Sequence, residues 1–280
     1  MANPVYLING KYVLRIEEHR FEHNPGKLKR ESILLEILPK FNIPSPKLIG
    51  YDDSLEILDS PYILLKFIPG RDLLHSFKDL NPQQKKEISY QIGELATNFH
   101  QITPEKVGHE DLFGDIKLWE ERYSRDFATY WEVISRSDFL PLEIKQEIEA
   151  TFNKFKQVGW HGIGRLTHVD FTGSNIQLNN GKIVGIFDFE YTCIADPLLD
   201  LQKLPISFKL GDSFDQREFW KGYGVSQLGE EEKIRLKMHC FHQGIWEIWA
   251  TVTKFMPFGE KELEEGKTLV KNTIEYDLLH

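Results

Sequence analysis

The chain has 280 residues, 41% hydrophobic and 28% charged, the make-up of a globular protein long enough to bury a core without disulfides or a structural metal. Its 43 acidic side chains outnumber 34 basic ones, for a net charge of −9. Nucleic acid wants a basic face and is not expected as a partner, whereas a cationic ligand suits this balance. Cys193 and Cys240 lack CxxC spacing, the first residues show no signal pattern, and no apolar run approaches a membrane span. We therefore expect a cytoplasmic protein with free thiols and no membrane partner.

Residues 4–16 (PVYLINGKYVLRI) alternate around Asn9-Gly10, the signature of two strands joined by a primed turn. Residues 28–41 carry Leu28, Ile33, Leu34, Ile37 and Leu38 at helical spacing. After Pro44 and Pro46, residues 48–68 read as further strands, ending in the buried run Tyr62-Ile63-Leu64-Leu65, and Pro69-Gly70 breaks the chain. Beyond it the spacing predicts helices over 82–101, opening at Asn81-Pro82, over 112–135 and over 141–157. Short β segments return over 163–190: Arg165-Leu166-Thr167, then NIQL and KIVGIFDF around Asn179-Asn180-Gly181. From about residue 212 the pattern is helical, with Trp220, Trp246 and Trp249 on apolar faces. The expected architecture is α+β and bilobal: a small β-rich lobe over 1–66, then a larger, mainly helical lobe over 67–280.

The chemistry concentrates in LTHVDFTGSNIQLNNGKIVGIFDFEYTCIADPLLDL, residues 166–201. His168, Asp170 and Asn175 precede an apolar hairpin; Asp188 and Glu190 follow it. Folding back at the Asn-Gly turn brings Asn175 and Asp188 together. An amide oxygen and a carboxylate there, with a second carboxylate five residues upstream, make a hard-oxygen site suited to Mg²⁺, which takes one or two carboxylates and fills its shell with water and phosphate. A further carboxylate could orient a hydroxyl, as phosphoryl transfer requires.

HVDFTGSN resembles the H-x-D-x-x-x-x-N catalytic loop of the kinase-like fold. IFDFE followed by DPLLDL is similar to the aminoglycoside phosphotransferase and choline kinase superfamily. The resemblance implies a protein-kinase-like fold and a small-molecule kinase. Asp170 would be the catalytic carboxylate, Asn175 and Asp188 the metal ligands, His168 a structural residue, and Asp196 and Asp200 braces of the loop. In the N-terminal lobe, Arg15 of YVLRI falls where the family has the cation for the α- and β-phosphates, and Glu31 where its helix glutamate partners that cation. YILLKFIPG falls at the hinge, so Leu65, Phe67 and Ile68 would meet the adenine edge. His100 resembles the helix-ending L-H element. The implied cofactors are ATP, with GTP as the other candidate, and Mg²⁺. The implied acceptor is the hydroxyl of an aminoglycoside-like antibiotic or an amino-alcohol or sugar metabolite, and antibiotic resistance is one role it suggests. Glu190, Glu247, Glu275 and Asp277 are the carboxylates that could line a cationic acceptor's pocket.

A second reading belongs to another class: a nucleotide-binding protein that transfers no phosphate. It is motivated by the absence of GxGxxG and by the few residues ahead of the first hairpin. Elsewhere the plainer readings prevail. Trp246 and Trp249 are read as core rather than a ligand cage, and His239 and His242, three apart on one helix, as structural.

Overall fold

The computed structural model describes residues 4–17 and 26–275; Asp277 and the residues ahead of Pro4 lie outside that range. Strands β1 (Val5–Ile8) and β2 (Tyr12–Ile16) form the expected hairpin. Asn9 and Gly10 have φ of 50° and 64°, the left-handed pair that a type I′ turn demands. Helix α1 (Lys27–Ile37) follows. It stops short of residue 41 because Pro39 has no N–H to continue the ladder, and Leu38–Phe41 tightens into a 3₁₀ turn. Strands β3 (Leu48–Asp52) and β4 (Tyr62–Lys66) complete an antiparallel sheet of order β1-β2-β4-β3. Ile63 and Leu65 alternate inward from β4 and join Leu28 and Leu34 of α1 in one buried cluster.

The rest is larger and mainly helical. Two-residue strand β5 (Arg71–Asp72) precedes α2 (Pro82–His100), whose start has Pro82 in the first turn and a reciprocal cap between Asn81 and Gln84. Helix α3 (Ile116–Ser135) begins later than the expected 112. Glu110–Phe113 forms a separate turn, Gly114 at φ 69° ends it, and the Asp115 carboxylate caps the Leu118 N–H at 2.8 Å. Helix α4 (Leu142–Val158) follows. Strands β6 (Arg165–Thr167), β7 (Ile176–Asn179), β8 (Lys182–Ile186) and β9 (Cys193–Ala195) make two small sheets, β5-β7-β8 and β6-β9. Helices α5 (Gln216–Tyr223), α6 (Glu230–Val252) and α7 (Glu260–Glu275) close the fold. Among the described residues no helix is long and apolar enough to cross a membrane.

Buried polar groups tie α6 to the chain beyond β9. Asp196 Oδ2 accepts from Arg235 Nη1 at 2.8 Å and lies 3.0 Å from His239 Nε2, while His239 Nδ1 meets the Tyr123 hydroxyl at 3.0 Å. His239 is thus fully used by the core, and His242 stacks on Tyr123 with ring centroids 4.1 Å apart. Trp246 and Trp249 pack on Phe258 and Tyr130.

Helices α2 and α5 touch backbone to backbone. A Cβ on Gly93 would lie 2.1 Å from the Phe219 carbonyl oxygen, and one on Gly222 2.0 Å from that of Tyr90. This crossing sets the end of α2: Thr97 Oγ1 donates to the Tyr223 carbonyl at 2.7 Å, and His100 Nδ1 lies 3.0 Å from the Tyr223 hydroxyl. Gly222→Ala should therefore lower unfolding stability by about 1–3 kcal/mol in urea titration, the usual cost of overpacking. An unchanged midpoint would contradict the close crossing.

Candidate active site

The His168–Asn175 loop leaves β6 and is held by one carboxylate. Asp200, 1% exposed, accepts the His168 N–H at Oδ2 (2.9 Å) and the Val169 N–H at Oδ1 (2.6 Å), and His100 Nε2 lies 3.2 Å from Oδ2. The buried His168 ring donates from Nε2 to the Phe187 carbonyl at 2.8 Å, stitching the loop to the end of the β7–β8 hairpin. Val169 is left-handed at φ 72°, a conformation a β-branched residue seldom adopts, and its carbonyl accepts from Gln202 Nε2 at 2.7 Å. The turn it makes delivers Asp170 to the cleft.

Asp170 is gripped on both oxygens. Asn175 Nδ2 donates to Oδ2 at 2.9 Å, and Lys203 Nζ lies 3.0 Å from Oδ1. The Lys203 ammonium, against the opposing effect of burial, holds the Asp170 carboxyl down to about 2. Asn175 Nδ2 also donates to the Asp170 carbonyl at 2.9 Å, so the amide nitrogen is committed and the amide oxygen is left as an acceptor.

The hairpin brings Asp188 alongside. Ile176 pairs with Ile186, and the Phe187 N–H donates to the Asn175 carbonyl at 2.9 Å; Asp188 then turns at φ 65°. Its Oδ1 is buried without a hydrogen-bond partner among the described residues, and Arg15 Nη2 lies 3.7 Å away. Burial and the neighbouring Glu190 raise the Asp188 pKa against the pull of Arg15.

From the N-terminal sheet, Arg15 pairs in register with Ile63 and places Nη1 2.6 Å from each oxygen of Glu31. Glu31 is 2% exposed, and burial pushes its carboxyl up to about 7 against the attraction of Arg15. Helix α1 reaches the same cleft: Lys27 Nζ lies 3.0 Å from Glu190 Oε2, and Arg30 Nη2 donates to the Glu190 carbonyl at 2.8 Å. Glu190 therefore joins α1 to the hairpin rather than lining an open pocket. Leu65, within β4, is buried, and Phe67, just after it, is half-exposed. The Phe67 N–H serves the Lys11 carbonyl and the Ile68 carbonyl accepts from Gln177 Nε2, each at 2.9 Å. Among the described residues the Phe67 carbonyl and Ile68 N–H take no hydrogen bond. Glu247 is buried, with Oε1 accepting from Gln243 and Oε2 without a partner among the described residues. Glu275, at the end of α7, lies 4.0 Å from Lys271.

Asn175 and Asp188 offer one amide and one carboxylate oxygen donor, and the buried, unsatisfied Oδ1 of Asp188 fits a divalent cation. Among the described residues no cluster of three or more His, Cys, Asp or Glu could hold a metal, so a cation here would complete its shell from phosphate and water. Sequence reading had not marked Lys203, Gln202, Lys27 or Arg30. Gln202 and Lys203 directly follow the D-P-x-x-D-L run, and only that adjacency could have flagged them.

A family model described as the Phosphotransferase enzyme family matches residues 1–258, and the chain belongs to that family. No curated protein matches the sequence. Among solved structures, the GDP complex of aminoglycoside 2'-phosphotransferase-IIIa superposes with a TM-score of 0.74 at 16% identity, covering 98% of this chain and 90% of that one. The streptomycin–ATP–APH(2")-IIa ternary complex gives 0.65 at 18%, covering 99% and 89%. A choline/ethanolamine kinase family protein from Mesorhizobium loti gives 0.67 at 17%, covering 99% and 86%. At these identities the likeness shows a shared kinase-like fold.

Glu31 makes the electrostatics testable. Its folded pKa of about 7 stands above the ordinary 4.5, so on raising the pH the unfolded chain loses this proton first. The group's stabilising effect is whole below the unfolded value and is lost as pH rises through the folded one. Between about pH 5 and about pH 8 wild-type stability should fall, and Glu31→Gln should flatten that segment in urea titrations. Parallel pH profiles for the two proteins would contradict the assignment.

Proposed function

We propose that the protein is a small-molecule kinase that transfers the γ-phosphate of ATP to an acceptor hydroxyl. The observation that carries this reading is the convergence of Asp170, Asn175 and Asp188 at one end of a hairpin, facing the Arg15–Glu31 pair of the N-terminal sheet. The Phe67 carbonyl and Ile68 N–H offer an acceptor and a donor to the edge of a purine, and Leu65, buried in β4, would lie on the apolar side of that site. Arg15, pinned by Glu31 through Nη1, directs Nη2 toward Asp188, where the α- and β-phosphates would lie. Asn175 and Asp188 would hold Mg²⁺, which when bound neutralises phosphate charge.

Asp170 receives the acceptor. The hydroxyl oxygen attacks the γ-phosphorus, the bond from that phosphorus to the oxygen of the leaving ADP breaks, and the hydroxyl proton passes to the Asp170 carboxylate. A carboxylate held at about 2 is a weak base. Its main work is to orient the hydroxyl in line, with the proton leaving late. Guanine nucleotides are the alternative donor, and GDP occupies one structural neighbour.

The acceptor we infer is a cationic, hydroxylated small molecule, an amino-sugar or amino-alcohol. The net charge of −9 favours it, as does the company of streptomycin-binding and choline/ethanolamine kinase family structures with the same fold. ATP and GTP consumption measured against aminoglycosides, macrolides, choline, sugars and amino-alcohols should reveal turnover with at least one class. With that acceptor, Asp170→Asn should cut kcat by roughly 10²–10⁴-fold while changing the KM for ATP little. Wild-type turnover in the variant would sink the assignment of Asp170.

A further inference from the structure

We propose that Lys203 is the cation that grips the transferring phosphoryl group, an inference that rests on the phosphotransferase reading above. Lys203 lies outside the His168–Asn175 loop, just beyond the 3₁₀ turn Pro197–Leu201 that carries Asp200. Its ammonium reaches back to Asp170 Oδ1 at 3.0 Å. The other carboxylate oxygen, Oδ2, is taken by Asn175. Each oxygen keeps a second lone pair, and a hydroxyl received at Oδ1 meets the ammonium of Lys203 directly.

Distances make the rest follow. An attacking hydroxyl oxygen lies about 2.6–3.2 Å from the carboxylate that orients it and about 3–3.5 Å from the phosphorus it attacks. A cation 3.0 Å from Oδ1, on the side from which the hydroxyl approaches, can come within one hydrogen bond of a non-bridging oxygen of that phosphoryl group. The ammonium has three donors, so it can keep Asp170 and take a phosphoryl oxygen as well. On the opposite side of the cleft the cations have other work: Arg15 is pinned to Glu31, and Lys27 reaches Glu190.

The surroundings keep Lys203 charged and aimed. Its side chain is 10% exposed. Burial alone would depress the ammonium, but Asp170, Glu247 and Glu265 outweigh it and raise its pKa. Glu247 Oε2 is itself buried without a hydrogen-bond partner among the described residues. Its charge stays near Lys203 when the hydroxyl arrives at Asp170. The preceding residue, Gln202, is bonded through its side chain to the Val169 carbonyl, which ties this stretch to the His168–Asn175 loop. The ammonium end can turn a second donor to a phosphoryl oxygen while keeping Asp170. In the transfer the acceptor oxygen bonds to phosphorus as the bond to the ADP oxygen breaks, and the proton goes to Asp170 Oδ1. Lys203 offsets the charge spread over the three non-bridging oxygens.

The test needs no acceptor. Mg·ADP is titrated into the protein by calorimetry, with and without fluoroaluminate as a mimic of the transferring phosphoryl group. Fluoroaluminate should tighten Mg·ADP binding to wild type. Lys203→Met should bind Mg·ADP within about twofold of wild type and lose roughly tenfold or more of that tightening, the scale of one donor to a developing charge. Full tightening in Lys203→Met, or no tightening in a wild type that binds Mg·ADP, overturns the inference and leaves the kinase reading standing. A proportional loss of Mg·ADP binding in the variant overturns it too, since that is what a merely structural lysine predicts. A wild type that does not bind Mg·ADP overturns both. A crystal structure of wild type with Mg·ADP and fluoroaluminate decides independently of whether the variant folds. Lys203 Nζ should lie within about 3.2 Å of a fluoride; an ammonium out of reach of the mimic overturns the inference.

Discussion

The cleft depends on a carboxylate that no solvent reaches. Asp200 collects two consecutive main-chain N–H groups, of His168 and Val169, with His100 at its flank. Without it those amides would be buried donors with no acceptor, each costing about 1–3 kcal/mol. With it, Val169 can be held at φ 72°, a strained choice for a β-branched residue that the surroundings must over-determine. That strain aims Asp170. Asp188, at φ 65°, is turned by the same kind of departure at the far end of the hairpin. The two carboxylates converge because two non-glycine residues are kept in a region that glycine would normally fill.

The cleft also keeps opposite charges in separate pairs. Arg15 answers Glu31, Lys27 answers Glu190 and Lys203 answers Asp170. Asp188 keeps a buried oxygen without a hydrogen-bond partner among the described residues, with Arg15 Nη2 3.7 Å away. In the proposed reading, Asp188 would take an added cation and the positive groups around it would face phosphate. Buried ion pairs contribute little net stability, so the pairs are better understood as fixing geometry: each holds one long side chain in one direction, and Lys27–Glu190 does so across the two parts of the fold.

Much of this was legible before the fold was known. Asn9-Gly10 and Asn179-Asn180-Gly181 announced two hairpins, and the second placed Asn175 beside Asp188 because strand register follows from turn position. The family resemblance added the roles of Asp200 and of the Arg15–Glu31 pair, which periodicity cannot supply since partners so far apart in sequence leave no local pattern. Lys203 was invisible for a different reason: it follows the recognised run and carries no motif of its own. The late start of α3 was readable in principle from Gly114-Asp115, a break followed by a cap, yet the apolar pattern running through Leu112 and Phe113 concealed it. Glu190 was one of several candidate carboxylates, and whether it supports the site or lines a pocket could not be judged without knowing where α1 docks.

In the reading proposed above, Asn175 and Asp188 seat a phosphate-bound cation. Calorimetric titration of ATP into wild type and Asp188→Asn, each with Mg²⁺ and with EDTA, tests it most directly. Mg²⁺ should strengthen ATP binding to wild type, and Asp188→Asn should lose this strengthening while remaining folded. Full Mg²⁺-dependent ATP binding in Asp188→Asn would contradict it.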